Sequence, residues 1–263
     1  MRKLGGAIAP VCVLVLVVSG CSADQPLDPS PSSSQSPTAA ITALDATPQP
    51  SSTPAPTRAT LSKVATAKSD TIDVYPDPNT SDTETIDAAD VLTVPDETPL
   101  VFLVKTVTDG WLEVWLPVRP NGSTAWVRAE DVTLADTRYW IDVSLSNFDL
   151  KVYNDQELLM ETAIGVGRDD RPTPGGIYYI RELLQPPDPT GIYGPYAYGL
   201  SGFSPVLDSF KGGDAVIGIH GTNDDTSFGR TVSSGCMRVS NDAITQIAEE
   251  IGLPLGTPIY INA

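Results

Sequence analysis

His220 is the only histidine of the chain, and Cys236 follows it by sixteen residues. They stand in Ile217-Gly218-Ile219-His220-Gly221-Thr222 and Ser233-Ser234-Gly235-Cys236-Met237-Arg238. A thiol at its ordinary pKa of about 8.5 is mostly protonated at neutral pH, so a nucleophilic cysteine requires a neighbouring base or cation, most often an imidazole. Gly221 and Gly235 allow sharp turns and close backbone approach, which would let amide N–H groups converge on an oxyanion. Spacing alone leaves a second reading open, because a lone histidine after an apolar strand also serves as a satisfied structural group and a lone cysteine as a small buried hydrophobe. Of the other two cysteines, Cys12 falls in an expected signal sequence and Cys21 at its expected lipidation site, so the folded part lacks the several His or Cys ligands of a zinc site and the second thiol of a dithiol redox site, and neither a metal nor another cofactor is expected.

The segment that must position these groups, residues 137–263, reads as mainly β. Tyr139-Trp140-Ile141-Asp142-Val143-Ser144-Leu145-Ser146, Asp149-Leu150-Lys151-Val152-Tyr153 and Ala163-Ile164-Gly165-Val166-Gly167 are alternating or β-branched. Turn signals at Asn154-Asp155 and Pro174-Gly175-Gly176 separate them, which predicts antiparallel strands. One helix is expected near the end: Ala243, Ile244, Ile247, Ala248 and Ile251 recur at helical spacing, with Ser240 or Asn241 to cap the start and Gly252 and Pro254 to stop it. The loop from Gly191 to Gly199, with Tyr193 and Tyr196, is expected to wall a substrate cleft.

With Thr173-Pro174-Gly175-Gly176-Ile177-Tyr178, His220-Gly221-Thr222, and Ser233-Ser234-Gly235-Cys236-Met237-Arg238 followed by Asn241-Asp242-Ala243, residues 137–263 resemble the L,D-transpeptidase catalytic domain, the YkuD family. The resemblance implies a β-rich catalytic fold with Cys236 as nucleophile, His220 as its base and the Gly221 carbonyl orienting the imidazole. It also implies an oxyanion hole from the Gly235 and Cys236 amides, and Arg238 holding a substrate carboxylate or the active loop. Ser234 stands where the family often has a second histidine, and it cannot act as a cation. The implied activity is 3→3 cross-linking of peptidoglycan stem peptides through a Cys236 thioester, with no cofactor and with covalent inhibition by carbapenem β-lactams. An L,D-carboxypeptidase using the same site and a non-catalytic wall-binding lipoprotein are the alternatives.

Residues 61–135 carry short β runs at Ile72–Tyr75, Val91–Val94, Leu100–Val107, Trp111–Leu116 and Ala125–Val127, separated by Pro76-Asp77-Pro78-Asn79, Asp109-Gly110 and Pro120-Asn121-Gly122. Their Gly110-Trp111-Leu112-Glu113-Val114 and Ala125-Trp126-Val127 stretches resemble bacterial SH3-like modules, which implies a small barrel serving as spacer or wall-recognition domain. Residues 22–60 are rich in Pro, Ser and Thr and cannot bury a core, so they read as an extended tether. Arg2 and Lys3 precede an apolar stretch from Ala7 to Val18, shorter than the ~20 residues of a spanning helix. It ends in Val18-Ser19-Gly20-Cys21, which resembles a lipobox; residues 1–21 are then a lipoprotein signal, with Cys21 the lipidated residue. The implied location is the outer face of a bacterial cell membrane, within the cell-wall space. Residues 62–136 carry about −9 and residues 137–263 about −8 of the net charge of −17. Such acidity disfavours nucleic-acid partners.

Overall fold

The computed structural model describes Arg58 and residues 61–263. The expected signal sequence and lipobox at 1–21, with Cys21, and nearly all of the 22–60 tether lie outside the described residues. Seven strands come first: β1 (Ser62–Ala67), β2 (Thr71–Val74), β3 (Glu84–Asp87), β4 (Val101–Thr108), β5 (Trp111–Trp115), β6 (Thr124–Arg128) and β7 (Val132–Thr137). Five form an antiparallel sheet in the order β6-β5-β4-β1-β7, and β2 and β3 pair as a separate ribbon. Strict alternation sets the faces. In β5, Leu112 and Val114 are buried while Trp111 and Trp115 lie half-buried on the opposite face, Trp115 against Val64, Val101, Leu103 and Tyr179, and β6 buries Ala125 and Val127 in the same way as Leu112 and Val114. Ile72, Val74, Ile86 and Phe102 complete this core.

Val91–Val94 is not a strand. The Asp87 carboxylate accepts a hydrogen bond from the Ala89 N–H (2.9 Å) and starts a single helical turn, α1 (Ala88–Val91), which tucks Ala88 and Val91 into the core. A four-residue apolar run does not distinguish strand from helix, whereas the capping aspartate does.

The second sheet has eight strands: β8 (Tyr139–Ser144), β9 (Asp149–Asn154), β10 (Glu157–Ala163), β12 (Gly176–Leu184), β13 (Ala197–Phe203), β14 (Val216–His220), β16 (Met237–Arg238) and β17 (Pro258–Asn262), with β11 (Val166–Gly167) and β15 (Thr231–Ser233) pairing beside it. The order is β10-β9-β8-β17-β12-β13-β14-β16. It is mixed rather than antiparallel throughout, because the last strand inserts parallel to β8 and β16 lies parallel to β14. Both pairings join strands far apart in sequence, and a period-2 pattern carries no direction.

The expected helix, α2, starts at Asn241, where the Ser240 hydroxyl accepts from the Ala243 N–H (3.1 Å). It is α-helical to Thr245 and continues with π-helical winding through Ile251, and the Gly252 N–H bonds the Ile247 carbonyl to end it. Ala243, Ile244 and Ile247 bury one face against Tyr198 and the strands of the second sheet.

Both sheets belong to one compact unit. Val64, Val101 and Leu103 of the first pack on Tyr179 of the second. Beside this contact the Glu182 carboxylate, almost fully buried, accepts from the Thr93 N–H (2.8 Å) and hydroxyl (3.0 Å) and pairs with Arg181 at 3.2 Å. Glu182→Ala would leave the Arg181 guanidinium buried without a counter-charge. Loss of about 3–5 kcal/mol in equilibrium urea unfolding is expected; a loss below about 1 kcal/mol would mean the pair is dispensable.

Candidate active site

Strand register brings the two candidate groups together. Ile219 pairs with Met237 and His220 with Arg238 across β14 and β16, so Cys236, one residue earlier, comes alongside Gly218. In a parallel pair such neighbours share a face, which sets the Cys236 thiol and the His220 imidazole on the same side of adjoining strands. Gly218 between them has no side chain to separate them. His220 and Cys236 line one pocket with Tyr193, Ser234, Arg238 and Phe210.

The imidazole is buried, and its Nδ1 stands 2.6 Å from the Gly221 carbonyl oxygen. A carbonyl can only accept, so Nδ1 carries the proton and the Nε2 lone pair is left available. Burial holds the His220 pKa down at about 4; the Gly221 carbonyl opposes this shift, while Arg238 and Lys211 add to it. The ring is therefore neutral at pH 7. Burial also pushes the Cys236 thiol up, against smaller lowering effects from the Gly218 backbone and Arg238. The thiol is 3.9 Å from the Val216 carbonyl. The resting pair is thus a neutral thiol beside a neutral base, and not a preformed thiolate–imidazolium pair.

Gly221 is required by close approach. A Cβ there would overlap Asn241 Oδ1 and crowd Gly194. The Thr222 N–H donates to Asn241 Oδ1 (2.9 Å) and the Gly221 N–H to the Tyr196 carbonyl (3.3 Å), so the start of α2 and the 191–196 segment clamp the carbonyl that orients the ring. Tyr193 from that segment meets His220 edge to face, with ring centroids 5.0 Å apart.

Two hydroxyls lock the turn that carries the sulfur, and sequence reasoning assigned them no role. Ser233 Oγ accepts from the Gly235 N–H (3.1 Å) and donates to the Cys236 carbonyl (2.6 Å). Thr173 Oγ1 accepts from the Gly167 N–H (2.9 Å) and donates to the Gly235 carbonyl (2.9 Å). Both residues sit in stretches already notable for their glycines, and the available signal was a hydroxyl within three residues of Cys236 or beside the Pro174-Gly175-Gly176 run. The Gly235 N–H, expected to serve an oxyanion hole with that of Cys236, is instead engaged by Ser233 Oγ.

The remaining predicted residues divide. Ser234 lines the pocket and accepts a long hydrogen bond from Arg171 (3.4 Å). Arg238 lines it too, 3.8 Å from Asp224, with its buried Nε lacking a hydrogen-bond partner among the described residues. Tyr196 is not in the pocket wall; its hydroxyl donates to Glu249 (2.5 Å) of the helix. The wall contains Arg168 and Arg238 and no acidic side chain, although the chain as a whole carries −17. Among the described residues no three His, Cys, Asp or Glu side chains converge to hold a metal ion.

Residues 138–261 match the YkuD family model, the L,D-transpeptidase catalytic domain. The chain is similar to the YkuD proteins of Bacillus licheniformis and Bacillus subtilis, at 33% and 32% identity over 124 residues; each alignment covers 47% of this chain and 66% of the relative. The chain thus spans just under two thirds of the length of these curated relatives. Among solved structures, Bd1075 of Bdellovibrio bacteriovorus is similar at 29% identity with a TM-score of 0.38, covering 48% of each chain.

A histidine whose folded pKa, about 4, lies below its ordinary 6.5 gives the unfolded chain a proton that the folded chain refuses. Its contribution to stability is complete above pH ~6.5 and is lost as pH falls toward ~4, an effect of about 3 kcal/mol. Urea unfolding at a series of pH values should show His220→Gln losing less stability than the wild type by roughly that amount across the window. Parallel losses would place the imidazole pKa near its ordinary value.

Proposed function

We propose that the chain is a cysteine-dependent L,D-transpeptidase that forms 3→3 cross-links between peptidoglycan stem peptides. The observation that carries this reading is the shared pocket of Cys236 and His220, with Nδ1 engaged by the Gly221 carbonyl and Nε2 left as the base. The family match over residues 138–261 supports it.

In the proposed reaction a tetrapeptide donor presents the carbonyl of its third residue to Cys236. His220 Nε2 takes the thiol proton as sulfur bonds to the carbonyl carbon, and the resting neutral pair becomes an ion pair only at this step. The Cys236 N–H faces the developing oxyanion, while Ser233 and Thr173 hold the turn in place. Collapse breaks the peptide bond, and the imidazolium gives its proton to the leaving D-alanine amine, leaving a thioester. The side-chain amine of a second stem then attacks, passes its proton to His220, and the thiolate leaves and is reprotonated. Bond energy comes from the donor peptide, so no nucleotide is consumed. Arg238, which lines the pocket, would hold a donor carboxylate through charge-assisted geometry that Lys would not reproduce. Water in place of the amine would make the same site an L,D-carboxypeptidase.

The same reading takes residues 1–21 as a lipoprotein signal with Cys21 lipidated, residues 22–60 as a tether, and the first sheet as an SH3-like spacer or wall-recognition module. The catalytic sheet would then work on the outer face of a bacterial membrane.

Incubation with disaccharide tetrapeptide, followed by mass detection, should give cross-linked dimers lacking one D-alanine, and none with Cys236→Ala or His220→Ala. Tripeptide monomers as the sole product would assign hydrolysis instead. A carbapenem should add covalently to the Cys236 peptide; an adduct elsewhere would refute the nucleophile. Because the base is neutral above about 4 and the thiol is raised, kcat/KM should be level from about pH 5.5 to about 8 and fall on the acid side. A steep rise through pH 6.5 would indicate an ordinary, solvated imidazole.

A further inference from the structure

The pocket has one wall with little support of its own. Segment 204–215, between β13 and β14, is exposed along 208–214 and adds Phe210 and Ala215 to the lining, while Lys211 lies 5.2 Å over the Tyr193 ring. Its neck closes through the Ser204 N–H to the Ala215 carbonyl (2.8 Å), and its tip is a two-residue hairpin at Lys211-Gly212, both at positive φ, with Phe210 and Gly213 exchanging backbone hydrogen bonds. Its two ends, Ser204 and Ala215, are buried, and the Ser204 hydroxyl accepts from the Val206 (3.4 Å) and Leu207 (3.2 Å) N–H groups, but from Asp208 to Asp214 the segment is exposed.

What fixes the angle comes from the other sheet. On the loop between β5 and β6, the Asn121 amide brackets the Phe203 backbone, donating through Nδ2 to the carbonyl (2.8 Å) and accepting at Oδ1 from the N–H (2.9 Å). Arg119 lies over the Phe203 ring at 4.8 Å and donates through its two terminal nitrogens to the Ser204 carbonyl (2.9 Å) and the Leu207 carbonyl (2.8 Å). Four hydrogen bonds therefore cross from the first sheet to the residues where the pocket wall leaves β13. The two carbonyls taken by Arg119 are three residues apart, so the planar guanidinium sets the direction in which the segment departs.

We infer that Arg119 and Asn121 are positioning residues for the catalytic pocket: the first sheet holds segment 204–215 in the pose in which Phe210 and Lys211 close one side of the Cys236 and His220 pocket. The first sheet is then part of the active-site architecture in addition to any role as a spacer. The inference rests on the pocket geometry, and on the proposed activity only for the choice of acyl donor.

The test uses the full chain with Arg119→Ala, Asn121→Ala, the double variant and the conservative Arg119→Lys. Amide hydrogen exchange should accelerate roughly tenfold across 205–214 in the double variant, the change expected for losing one or two net hydrogen bonds, with β8, β9 and β17 unchanged. KM for a tetrapeptide donor should rise several-fold with a smaller change in kcat, because a loosened wall weakens donor capture more than chemistry. Alkylation of Cys236 by iodoacetamide, which needs no wall, should stay within about twofold of the wild type. Arg119→Lys, able to reach one carbonyl but not span both, should fall between. Unchanged exchange in 205–214 would overturn the inference, and so would loss of protection through both sheets with parallel falls in alkylation and turnover, which would mean the residues only maintain the fold. Should the wild type leave the donor untouched, the proposed activity fails, and the exchange and alkylation readouts still decide this inference.

Discussion

The hydrogen bond between His220 Nδ1 and the Gly221 carbonyl is the constraint on which the proposed chemistry depends. A buried imidazole with no carboxylate beside it has no reason to be charged, and the carbonyl of the next residue is a fixed dipole that selects one tautomer at little cost in desolvation. A carboxylate in that place would raise the imidazole pKa and favour a standing ion pair with the thiol. The carbonyl leaves the resting pair neutral. That choice needs the backbone after β14 to turn back on its own histidine, and Gly221, Gly194 and Asn241 are packed so tightly around the turn that a side chain at 221 has no space.

The second requirement is that the sulfur come to the imidazole from an adjoining strand rather than along the same one. The parallel pairing of β14 with the short β16 does this, and the fifteen residues between His220 and Cys236 are the crossover. Ser233 and Thr173 then immobilise the turn before the sulfur from two directions, one hydroxyl bonding its own loop and the other arriving from the segment before β12. In the proposed reaction, a sulfur held on such backbone would keep its geometry through both acyl transfers, provided the opposite wall is also fixed. The Arg119 and Asn121 contacts supply that fixing from the first sheet.

Much of this was legible in the sequence because the informative residues are rare. A single histidine, a glycine after it and a Gly-Cys pair ending sixteen residues on single out the site once the family resemblance is added, and apolar spacing with Ser240 and Gly252 at the ends marks α2. The rest was illegible for definite reasons. Strand direction leaves no trace in alternation, so the parallel neighbours of β14 and β8 could not be read. Val91–Val94 has the composition of a strand but follows a capping aspartate whose effect outweighs it. Tyr196 shares its loop with Tyr193, yet its backbone enters β13 and turns the ring toward Glu249. Arg119 and Asn121 act on residues more than eighty positions away, and no local pattern announces such a contact.

The most direct test of the account is the nitrogen-15 spectrum of the imidazole at pH 7, unambiguous because the chain has one histidine. A neutral ring protonated at Nδ1 with Nε2 free is expected. An imidazolium at that pH, or a neutral ring protonated at Nε2, would contradict it.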